Sequence, residues 1–416
     1  MDSFEPPRGM RDFYPEDMRL RNRIFDAWRA AAAASGFEQY DACVVESLEL
    51  LQRKAGEEVT QQIYWFEDKS GRKLALRPEM TPTLARMVCA RQGALQFPLK
   101  WFTVAQCFRY ERMTKGRKRE HYQLNLDIIA EESVAAEAEV LYTAVSALRK
   151  MGVPDEAYKI RVSNRALLSE LLAALGVPKE SHGGVFIALD KKGKIPRDEI
   201  EGLMRAEGLD DKACAAAFDL TEIASLDDAQ KIAGADSPAV ARLRELFELA
   251  EDFGIKNRLS FDISVIRGLS YYTGIVFEAF DTKGEFRAIF GGGRYDGLLE
   301  SIGGKPASAV GLGFGDVVIG EIIDSLGLGE HATTDQIAIG YMTPDERAAA
   351  TRLASWQRAH GATVSLSLRP EKPKQFFAAA ARTATRAVYI GPGERESGKA
   401  KMKILATREE TEITLL

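Results

Sequence analysis

Alternation of side-chain character between residues 99 and 129 constrains the fold of this chain more than any other feature. Polar and apolar residues alternate in Leu99–Val104, Cys107–Arg112 and Tyr122–Ile129, and short connections separate these segments. A period of two is typical of strands that bury one face. Consecutive strands joined by short connections pair antiparallel, because parallel neighbours need a crossover of a dozen or more residues. The sequence therefore predicts an antiparallel sheet rather than a doubly wound parallel one.

Helical periodicity and turn residues divide the rest of the chain. From about residue 155 to residue 254 the pattern is mostly helical, which predicts an inserted helical module. A polar, glycine-containing stretch near 327–334 predicts a linker, and strands and helices alternate after it. We therefore expect an α+β fold with one domain over 1–326 and a small α/β domain over 335–416. Further elements are predicted as helices at Asp17–Ala34, Pro82–Arg91 and Ser133–Arg149, and as strands near Tyr40–Val45 and Ile63–Phe66.

Composition excludes several classes of protein. The 416 residues are 45% hydrophobic and 28% charged, the balance of a folded chain rather than a disordered one. The four cysteines and four histidines are scattered without CxxC spacing, which predicts neither a metal site nor a disulfide framework. No apolar window is long enough to span a bilayer, and the first residues resemble neither a secretory signal nor a transit peptide. We expect a cytoplasmic protein without membrane contact.

A basic run between two strand-like segments is the first candidate site. The run FRYERMTKGRKREHYQ, residues 108–123, carries Arg109 on the first segment and Gly116 among five cationic side chains. A guanidinium on a strand can hold a phosphate through two parallel hydrogen bonds, and loop cations can close over further phosphates. This pattern predicts a polyphosphate-binding hairpin. The alternative is a solvated charged hairpin, which is the commoner meaning of an isolated basic run.

Two other segments carry unusual polar residues. In LRPEMT, Glu79 and Thr81 stand where an ammonium group could bind, although Thr81 could instead cap a helix. The segment RGLSYYTG, residues 267–274, offers a cation, a close-approach glycine and two tyrosine hydroxyls, and GGGRYDGL follows it at 291–298. The triple glycine does not match the dinucleotide fingerprint GxGxxG. On the return strand of the hairpin, Gln123 and Asp127 share parity and therefore point to one face.

These segments resemble the histidyl-tRNA synthetase family of class II aminoacyl-tRNA synthetases. The resemblance is carried by PPRGMRDFYPED, LRPEMT, the basic hairpin, and RGLSYYTG with GGGRYDGL. The spelling of the hairpin is most similar to the plant-chloroplast type and related bacterial forms. The resemblance implies a class II antiparallel sheet flanked by helices, an anticodon-binding C-terminal domain and a homodimer. It also implies activation of L-histidine with ATP and Mg²⁺, then transfer to the 3′ end of tRNA(His).

The resemblance also implies roles for individual residues. Arg109 and Arg267 would be the catalytic arginines on opposite sides of the ATP α-phosphate. Glu111 would help to seat adenine, and Arg117 and Arg119 would meet the outer phosphates or the acceptor end of tRNA. In the histidine-binding set, Glu79, Thr81 and Gln123 would receive the α-ammonium, and Asp127 would accept from the imidazole. Tyr272 and Tyr295 would fix the other ring nitrogen and the ring plane. The two arginines and Tyr271 complete the set.

Three positions depart from the family pattern. Val318 stands where the third motif usually has an arginine that clamps the γ-phosphate, so Arg117 is the candidate replacement. Ser270 replaces an aspartate before the tyrosine pair, and Cys43 replaces a proline at the family's dimer interface.

Two alternative functions stay open on the sequence. The regulatory subunit of ATP phosphoribosyltransferase uses the same core to sense histidine. It typically lacks the C-terminal domain and the hairpin arginines that this chain keeps. A pure RNA-binding module would not need the polar residues of one small pocket. In the C-terminal domain, Lys399, Lys401 and Lys403 are either RNA contacts or the outer face of an ordinary strand.

Overall fold

A computed structural model describes residues 4–53, 60–193, 195–266, 271–329 and 335–415. The chain divides into two compact units, Met1–Gly329 and Glu330–Leu416. In the described parts of the chain, no helix combines the length and apolarity that a bilayer crossing needs.

The first unit is built around a large, mainly antiparallel sheet. Eight described strands form it in the order β1-β5-β6-β11-β10-β9-β7-β8, and β2-β4-β3 form a small antiparallel sheet. Only the edge pairs β1–β5 and β7–β8 of the large sheet are parallel. The strands are β1 Glu38–Gln39, β2 Val45–Ser47, β3 Trp65–Glu67, β4 Lys73–Leu76, β5 Leu99–Phe108, β6 Glu120–Ile129, β7 Tyr158–Asn164, β8 Leu259–Phe261, β9 Ile275–Asp281, β10 Phe290–Arg294 and β11 Ala309–Gly315.

Helices cover one face of this sheet and border the other. Leu124 and Leu126 of β6 belong to the main core, in which α1 packs against α4. On the opposite face, β5 and β6 form a second core with the start of α3. The helices are α1 Pro15–Ala34, α2 Leu48–Gln52, α3 Thr81–Arg91, α4 Ala135–Lys150, α5 Arg165–Ala174, α6 His182–Leu189, α7 Arg197–Ala206, α8 Asp211–Asp219, α9 Leu226–Ala233, α10 Pro238–Asp252, α11 Leu298–Ser301 and α12 Asp316–Ser325.

The second unit is a small α/β fold with its own core. Its five-stranded sheet has the order β13-β12-β14-β15-β16, with β12 parallel to β13 and β14 and the remaining pairs antiparallel. Ile337, Ile339 and Leu353 lie in its core. The elements are β12 Gln336–Tyr341, α13 Arg347–Ala359, β13 Thr363–Leu366, α14 Pro373–Thr383, β14 Arg386–Ile390, α15 Pro392–Ser397, β15 Lys399–Ile404 and β16 Glu410–Thr414.

The α+β class with an antiparallel sheet is confirmed, but several element bounds differ from prediction. Leu99–Phe108 is one continuous strand, and 109–119 is a connector rather than strand. The pairing ends there because the N–H of Tyr110 donates to the carbonyl oxygen of Gln62, outside the β5–β6 ladder. The strand predicted near Tyr40–Val45 is wrong: β1 ends before Tyr40 and β2 begins at Val45. Within the predicted helical insertion, Tyr158–Asn164 is a strand of the large sheet.

The three candidate RNA-contacting lysines lie along β15 in cross-strand ion pairs. Lys399 Nζ lies 2.7 Å from Glu412, and Lys401 and Lys403 lie 3.0 Å and 3.6 Å from Glu410 on β16. Such pairs are typical of the solvent face of an ordinary antiparallel ladder. The structure therefore favours the outer-face interpretation for these lysines.

A buried ion pair joins the sheet to α4. The guanidinium of Arg294, at the end of β10, makes two hydrogen bonds of 2.6 Å to the carboxylate of Glu137. It also donates to the carbonyl oxygens of Glu131 and Ser133, in the turn before α4. Both side chains are almost fully buried, at 4% and 0% exposed. Every remaining donor is directed at an acceptor, which is what makes such burial tolerable.

Glu137→Ala is expected to lower the free energy of unfolding by about 3–5 kcal/mol, because it leaves the Arg294 charge buried without its carboxylate. Urea titration followed by circular dichroism measures this. Asp26→Ala is the control: it removes an exposed pair with Arg29 and should cost less than about 1 kcal/mol. Equal losses in the two variants would contradict the structural role assigned to Glu137.

Candidate active site

The floor of the candidate site is formed where β6 lies beside β11. Gln123 and Asp127 of β6 are opposite Gly315 and Gly311 of β11, and directly opposed residues point to the same face of a sheet. A Cβ atom on Gly311 would lie 2.1 Å from Asp127 Oδ1, and one on Gly313 would lie 2.3 Å from Gln123 Nε2. Glycine is therefore required on β11 because the polar side chains of β6 occupy the space above it.

Asp127 is a buried acid held by a tyrosine. Its Oδ1 accepts a hydrogen bond of 2.5 Å from the Tyr295 hydroxyl, and the residue is 1% exposed. Burial raises the pKa of Asp127 to about 7, against the opposing effect of the Tyr295 hydrogen bond. Its second oxygen, Oδ2, is buried and makes no hydrogen bond to any described residue. The carboxyl group therefore has one oxygen available to a ligand.

A second buried acid, Glu79, is held in the same manner. Its Oε2 accepts a hydrogen bond of 3.0 Å from the Tyr271 hydroxyl. The rings of Tyr271 and Tyr295 meet edge-on, with centroids 5.8 Å apart, and Tyr272 lies 4.9 Å from Tyr271. The site thus places two buried carboxyl groups beside one cluster of packed tyrosines.

The chain around Glu79 brings Thr81 and Arg109 to the same region. Thr81 is the buried first residue of α3, and Glu79 precedes that helix. Arg109 follows β5, and its Nε donates to the carbonyl oxygen of Pro78 at 3.0 Å. The LRPEMT segment and the first half of the basic run are therefore adjacent, as the site hypothesis requires.

The orientation of the Gln123 amide is set by its neighbours. Gln123 Nε2 donates to Asn125 Oδ1 at 3.0 Å, and its Oε1 lies 3.3 Å from His121 Nε2. Burial, together with the charge of Arg109, lowers the pKa of His121 to about 3. His121 is therefore neutral at pH 7 and donates its Nε2–H to the Gln123 carbonyl.

The two other hairpin arginines make their contacts in the connector. Arg117 Nη1 lies 2.7 Å from Glu111 Oε2, so the predicted outer-phosphate ligand is paired with the predicted adenine-seating residue. The Arg119 guanidinium lies 3.9 Å from the centroid of the Tyr110 ring, a cation–π distance. Both contacts are partly exposed, so each arginine could leave its present partner for another.

The tip of the connector rests on α12. Gly116 has φ +75° in the turn between Thr114 and Arg117, and its N–H donates to Glu321 Oε1 at 3.1 Å. A Cβ on Gly116 would lie 3.2 Å from Val318 Cγ2. Val318 is buried, so the side chain in the family's third-motif arginine position packs beneath the connector.

This geometry agrees with comparisons to known proteins. A model of the histidyl-tRNA synthetase family matches residues 9–315. The chain belongs to the histidyl-tRNA synthetase family. It is 44% identical to a chloroplastic/mitochondrial histidine–tRNA ligase of Arabidopsis thaliana, over 99% of this chain and 85% of that protein. It is 40% identical to a histidine–tRNA ligase of Opitutus terrae, over 99% of this chain and 96% of that protein.

Solved structures show the same fold at lower identity. A histidyl-tRNA synthetase from Nostoc sp. PCC 7120 superposes with a TM-score of 0.81 at 23% identity, over 100% of this chain and 97% of that one. An ATP phosphoribosyltransferase regulatory subunit/histidyl-tRNA synthetase from Bacillus halodurans C superposes with a TM-score of 0.77 at 22% identity. The match covers 94% of this chain and 99% of that one. The fold alone does not separate these two functions, whereas the identities of 44% and 40% are to ligases.

Arg267, the second arginine that the family resemblance assigns to the α-phosphate, lies outside the described residues, as does Ser270. The described chain resumes at Tyr271, directly at the tyrosine cluster. The position of Arg267 relative to Arg109 therefore stays a prediction.

Sequence reasoning missed three residues of this histidyl-tRNA synthetase site. Asn125 has the same strand parity as Gln123 and Asp127, so the alternation in the sequence could have placed it on their face of the sheet. Arg11 bridges Glu120 and Asp316 at 2.6 Å and 2.9 Å and so ties the N-terminal segment to β6 and α12; it lies within the PPRGMRDFYPED motif. Tyr40, which follows β1, is buried in the same core as the three tyrosines of the site, and no spacing in the sequence indicates this.

Gly313→Ala is expected to destabilise the protein by about 1–3 kcal/mol, because the added methyl group would overlap the Gln123 amide. Chemical denaturation measures the difference. Gly320→Ala on α12 is the control, since a Cβ there meets nothing within 4 Å and alanine favours a helix by about 0.5–1 kcal/mol. A neutral Gly313→Ala would contradict the close approach of β6 and β11.

Asp127→Asn is expected to gain stability relative to the unsubstituted protein as pH rises from about 4 to about 7. The folded pKa of Asp127, about 7, exceeds its unfolded value of about 3.9. Between these values the unfolded state releases a proton that the folded state retains, so the wild-type protein loses stability as pH rises. Asparagine removes this dependence. Unfolding free energies of both proteins at pH 4, 5.5 and 7 measure the difference, and a pH-independent gap would refute it.

Proposed function

We propose that this chain is a histidine–tRNA ligase, which activates L-histidine with ATP to histidyl-adenylate and transfers histidine to the 3′ end of tRNA(His). The observation that carries this proposal is the pair of buried carboxyl groups, Glu79 and Asp127, each bonded to a tyrosine of one packed cluster. Histidine has two separated nitrogen groups, an ammonium and an imidazole, that such a pocket suits. Membership of the family supports the same activity.

In this proposal the pocket recognises each polar group of histidine. Glu79, Thr81 and Gln123 receive the α-ammonium, and Asp127 accepts from an imidazole N–H through its available oxygen. Tyr272 and Tyr295 fix the other nitrogen and the plane of the imidazole ring. An amino acid without the imidazole nitrogens would leave Asp127 without the partner that histidine supplies, which gives stronger discrimination than pocket shape alone.

The activation step needs electrostatic stabilisation and alignment rather than a general base. The histidine carboxylate is already ionised at pH 7, and its attack brings two anions together on the α-phosphate. Arg109 and Arg267 offset this repulsion, because a guanidinium is permanently charged and holds its donors rigidly. The same contacts align the two reactants.

The connector supplies the remaining ATP contacts. Glu111 seats adenine, and Arg117 and Arg119 take the outer phosphates. Arg117 must then exchange its 2.7 Å pairing with the half-buried Glu111 for a phosphate, whose greater negative charge favours the exchange. With Val318 in the third-motif arginine position, Arg117 is the cation we assign to the γ-phosphate.

Mg²⁺ is proposed to enter as part of the substrate MgATP, where it would neutralise phosphate charge. Among the residues that the structure describes, no three histidine, cysteine, aspartate or glutamate side chains are grouped so as to hold a metal ion.

The domain roles and the cellular setting belong to the same proposal. Residues 1–326 would form the catalytic domain, and residues 335–416 would bind the anticodon of tRNA(His). We further propose that the protein is a homodimer and that it acts in the cytoplasm. The four free cysteine thiols support the cytoplasmic setting, because thiols stay reduced there.

Histidine-dependent exchange of labelled pyrophosphate into ATP tests the proposed function. We expect exchange by purified protein with Mg²⁺, and charging of tRNA(His) but not of a non-cognate tRNA. A histidine-binding regulator would bind histidine without exchange. Absence of exchange together with intact histidine binding would therefore refute ligase activity and favour the regulatory alternative.

Arg109→Ala is expected to lower kcat for exchange about 10²–10³-fold, the usual effect of losing one preorganised transition-state contact. KM for histidine should change much less, because the contact is made mainly in the transition state. Arg197→Ala, which removes an exposed arginine paired with Glu201, is the control and should leave both constants unchanged. A raised KM at unchanged kcat would contradict the role of Arg109.

A further inference from the structure

Four polar side chains share the pocket face of β6. His121, Gln123, Asn125 and Asp127 occupy alternate positions and therefore project from the same side of the strand. Gln123 is proposed to receive the α-ammonium of histidine, and Asp127 is proposed to accept from its imidazole. The proposed function gives no role to His121 and Asn125, which flank Gln123 in this row.

Both flanking residues bond to the Gln123 amide. Gln123 Nε2 donates to Asn125 Oδ1 at 3.0 Å, while His121 Nε2 lies 3.3 Å from Gln123 Oε1 and donates to it. The backbone of β11 confines the same amide, since a Cβ on Gly313 would lie 2.3 Å from Gln123 Nε2. The nitrogen end of the amide is therefore held towards Asn125 and the oxygen end towards His121.

The two ends of a glutamine amide are alike in shape but opposite in hydrogen bonding. The oxygen accepts hydrogen bonds, whereas the NH₂ group donates them, and an ammonium group can only donate. Gln123 can therefore bind the α-ammonium only through Oε1, and a rotated amide would direct its N–H groups at a cation. A carbonyl oxygen has two lone pairs, so Oε1 can accept from His121 and from the ammonium at once.

The charge state of His121 suits a place beside an ammonium group. His121 is opposite Cys107 in the β5–β6 ladder, and the charge of Arg109 acts on both side chains. Burial, and after it the charge of Arg109, lowers the pKa of His121 to about 3, so the ring is neutral at pH 7. An imidazolium there would repel the α-ammonium. The neutral ring donates to Oε1 without adding that repulsion.

We propose that His121 and Asn125 are positioning residues for histidine binding, which hold the Gln123 amide with its carbonyl oxygen towards the α-ammonium. This inference rests on the proposed function and deepens it, because it gives the physical reason why one ligand of the ammonium is oriented before histidine arrives. Such preorganisation contributes to affinity, since the amide does not have to be reoriented when the amino acid binds.

Two analogues of histidine separate the ammonium contact from the rest of the pocket. Histidinol keeps the ammonium and the imidazole but lacks the carboxylate, whereas imidazolepropionic acid keeps the imidazole and the carboxylate but lacks the ammonium. Isothermal titration calorimetry without ATP gives the dissociation constants of both analogues and of histidine. His121→Phe should raise the constants for histidine and histidinol about fivefold, the effect of losing about one hydrogen bond, and leave that for imidazolepropionic acid unchanged.

Two further variants test whether the effect passes through Gln123. Asn125→Ala removes the acceptor at the other end of the amide and should give the same selective loss. In a Gln123→Ala background, His121→Phe should add no further loss for any of the three compounds, because the amide that it positions is absent. Unchanged constants in the single His121→Phe variant, an equal loss for imidazolepropionic acid, or a loss that persists without Gln123 would each overturn the proposal.

His182→Phe is the matched control. It removes a histidine whose Nε2 bonds to the carbonyl oxygen of Val177 in the helical insertion, and it should leave the three constants unchanged. A partly unfolded variant would bind fewer molecules but keep the ratio of the constants, and Asn125→Ala supplies the same comparison where His121→Phe does not fold. Wild-type protein that binds neither histidine nor histidinol would refute the proposed function itself, so the two failures are distinguishable.

Discussion

The site depends on the close approach of β6 and β11. Alternate glycines of β11 lie opposite Gln123 and Asp127, and a side chain at Gly311 or Gly313 would occupy the positions of those groups. The opposite face of the same strands is apolar and packs beneath α1 and α4. One register thus assigns every side chain of β6 either to the core or to the pocket, because a shift of one residue would exchange the two faces.

Burial determines the chemistry of this pocket. Asp127 and Glu79 are buried, and each accepts a hydrogen bond from a tyrosine hydroxyl. The raised pKa of Asp127 reflects the free-energy cost of that burial, which a ligand with N–H donors would offset. Other buried charges, such as those of Arg294 and Glu137, are fully paired. Asp127 differs from this pair, because its Oδ2 is buried and has no hydrogen-bond partner among the described residues.

Much of the fold was predictable because local patterns and tertiary structure agree. The helix at Pro82–Arg91 begins one residue earlier than predicted. The helices predicted at Asp17–Ala34 and Ser133–Arg149 are observed at Pro15–Ala34 and Ala135–Lys150. The misassigned stretches are those in which tertiary contacts override alternation. Tyr110 leaves the strand ladder because the carbonyl oxygen of Gln62 accepts its backbone N–H group. Such partners are distant in sequence, so periodicity carries no signal of them.

The sequence by itself determined the family and the antiparallel sheet, and it supplied the candidate site residues, since motifs and strand parity are local properties. Parity alone placed Gln123 and Asp127 on one face, as the register confirms. Only the tertiary structure decided which groups are already paired. Arg117 pairs with Glu111 and Tyr295 with Asp127, whereas the Tyr40 hydroxyl has no partner among the described residues. Hydrogen-bond pairing depends on distances between residues far apart in the chain, and those distances exist only once the sheet has closed.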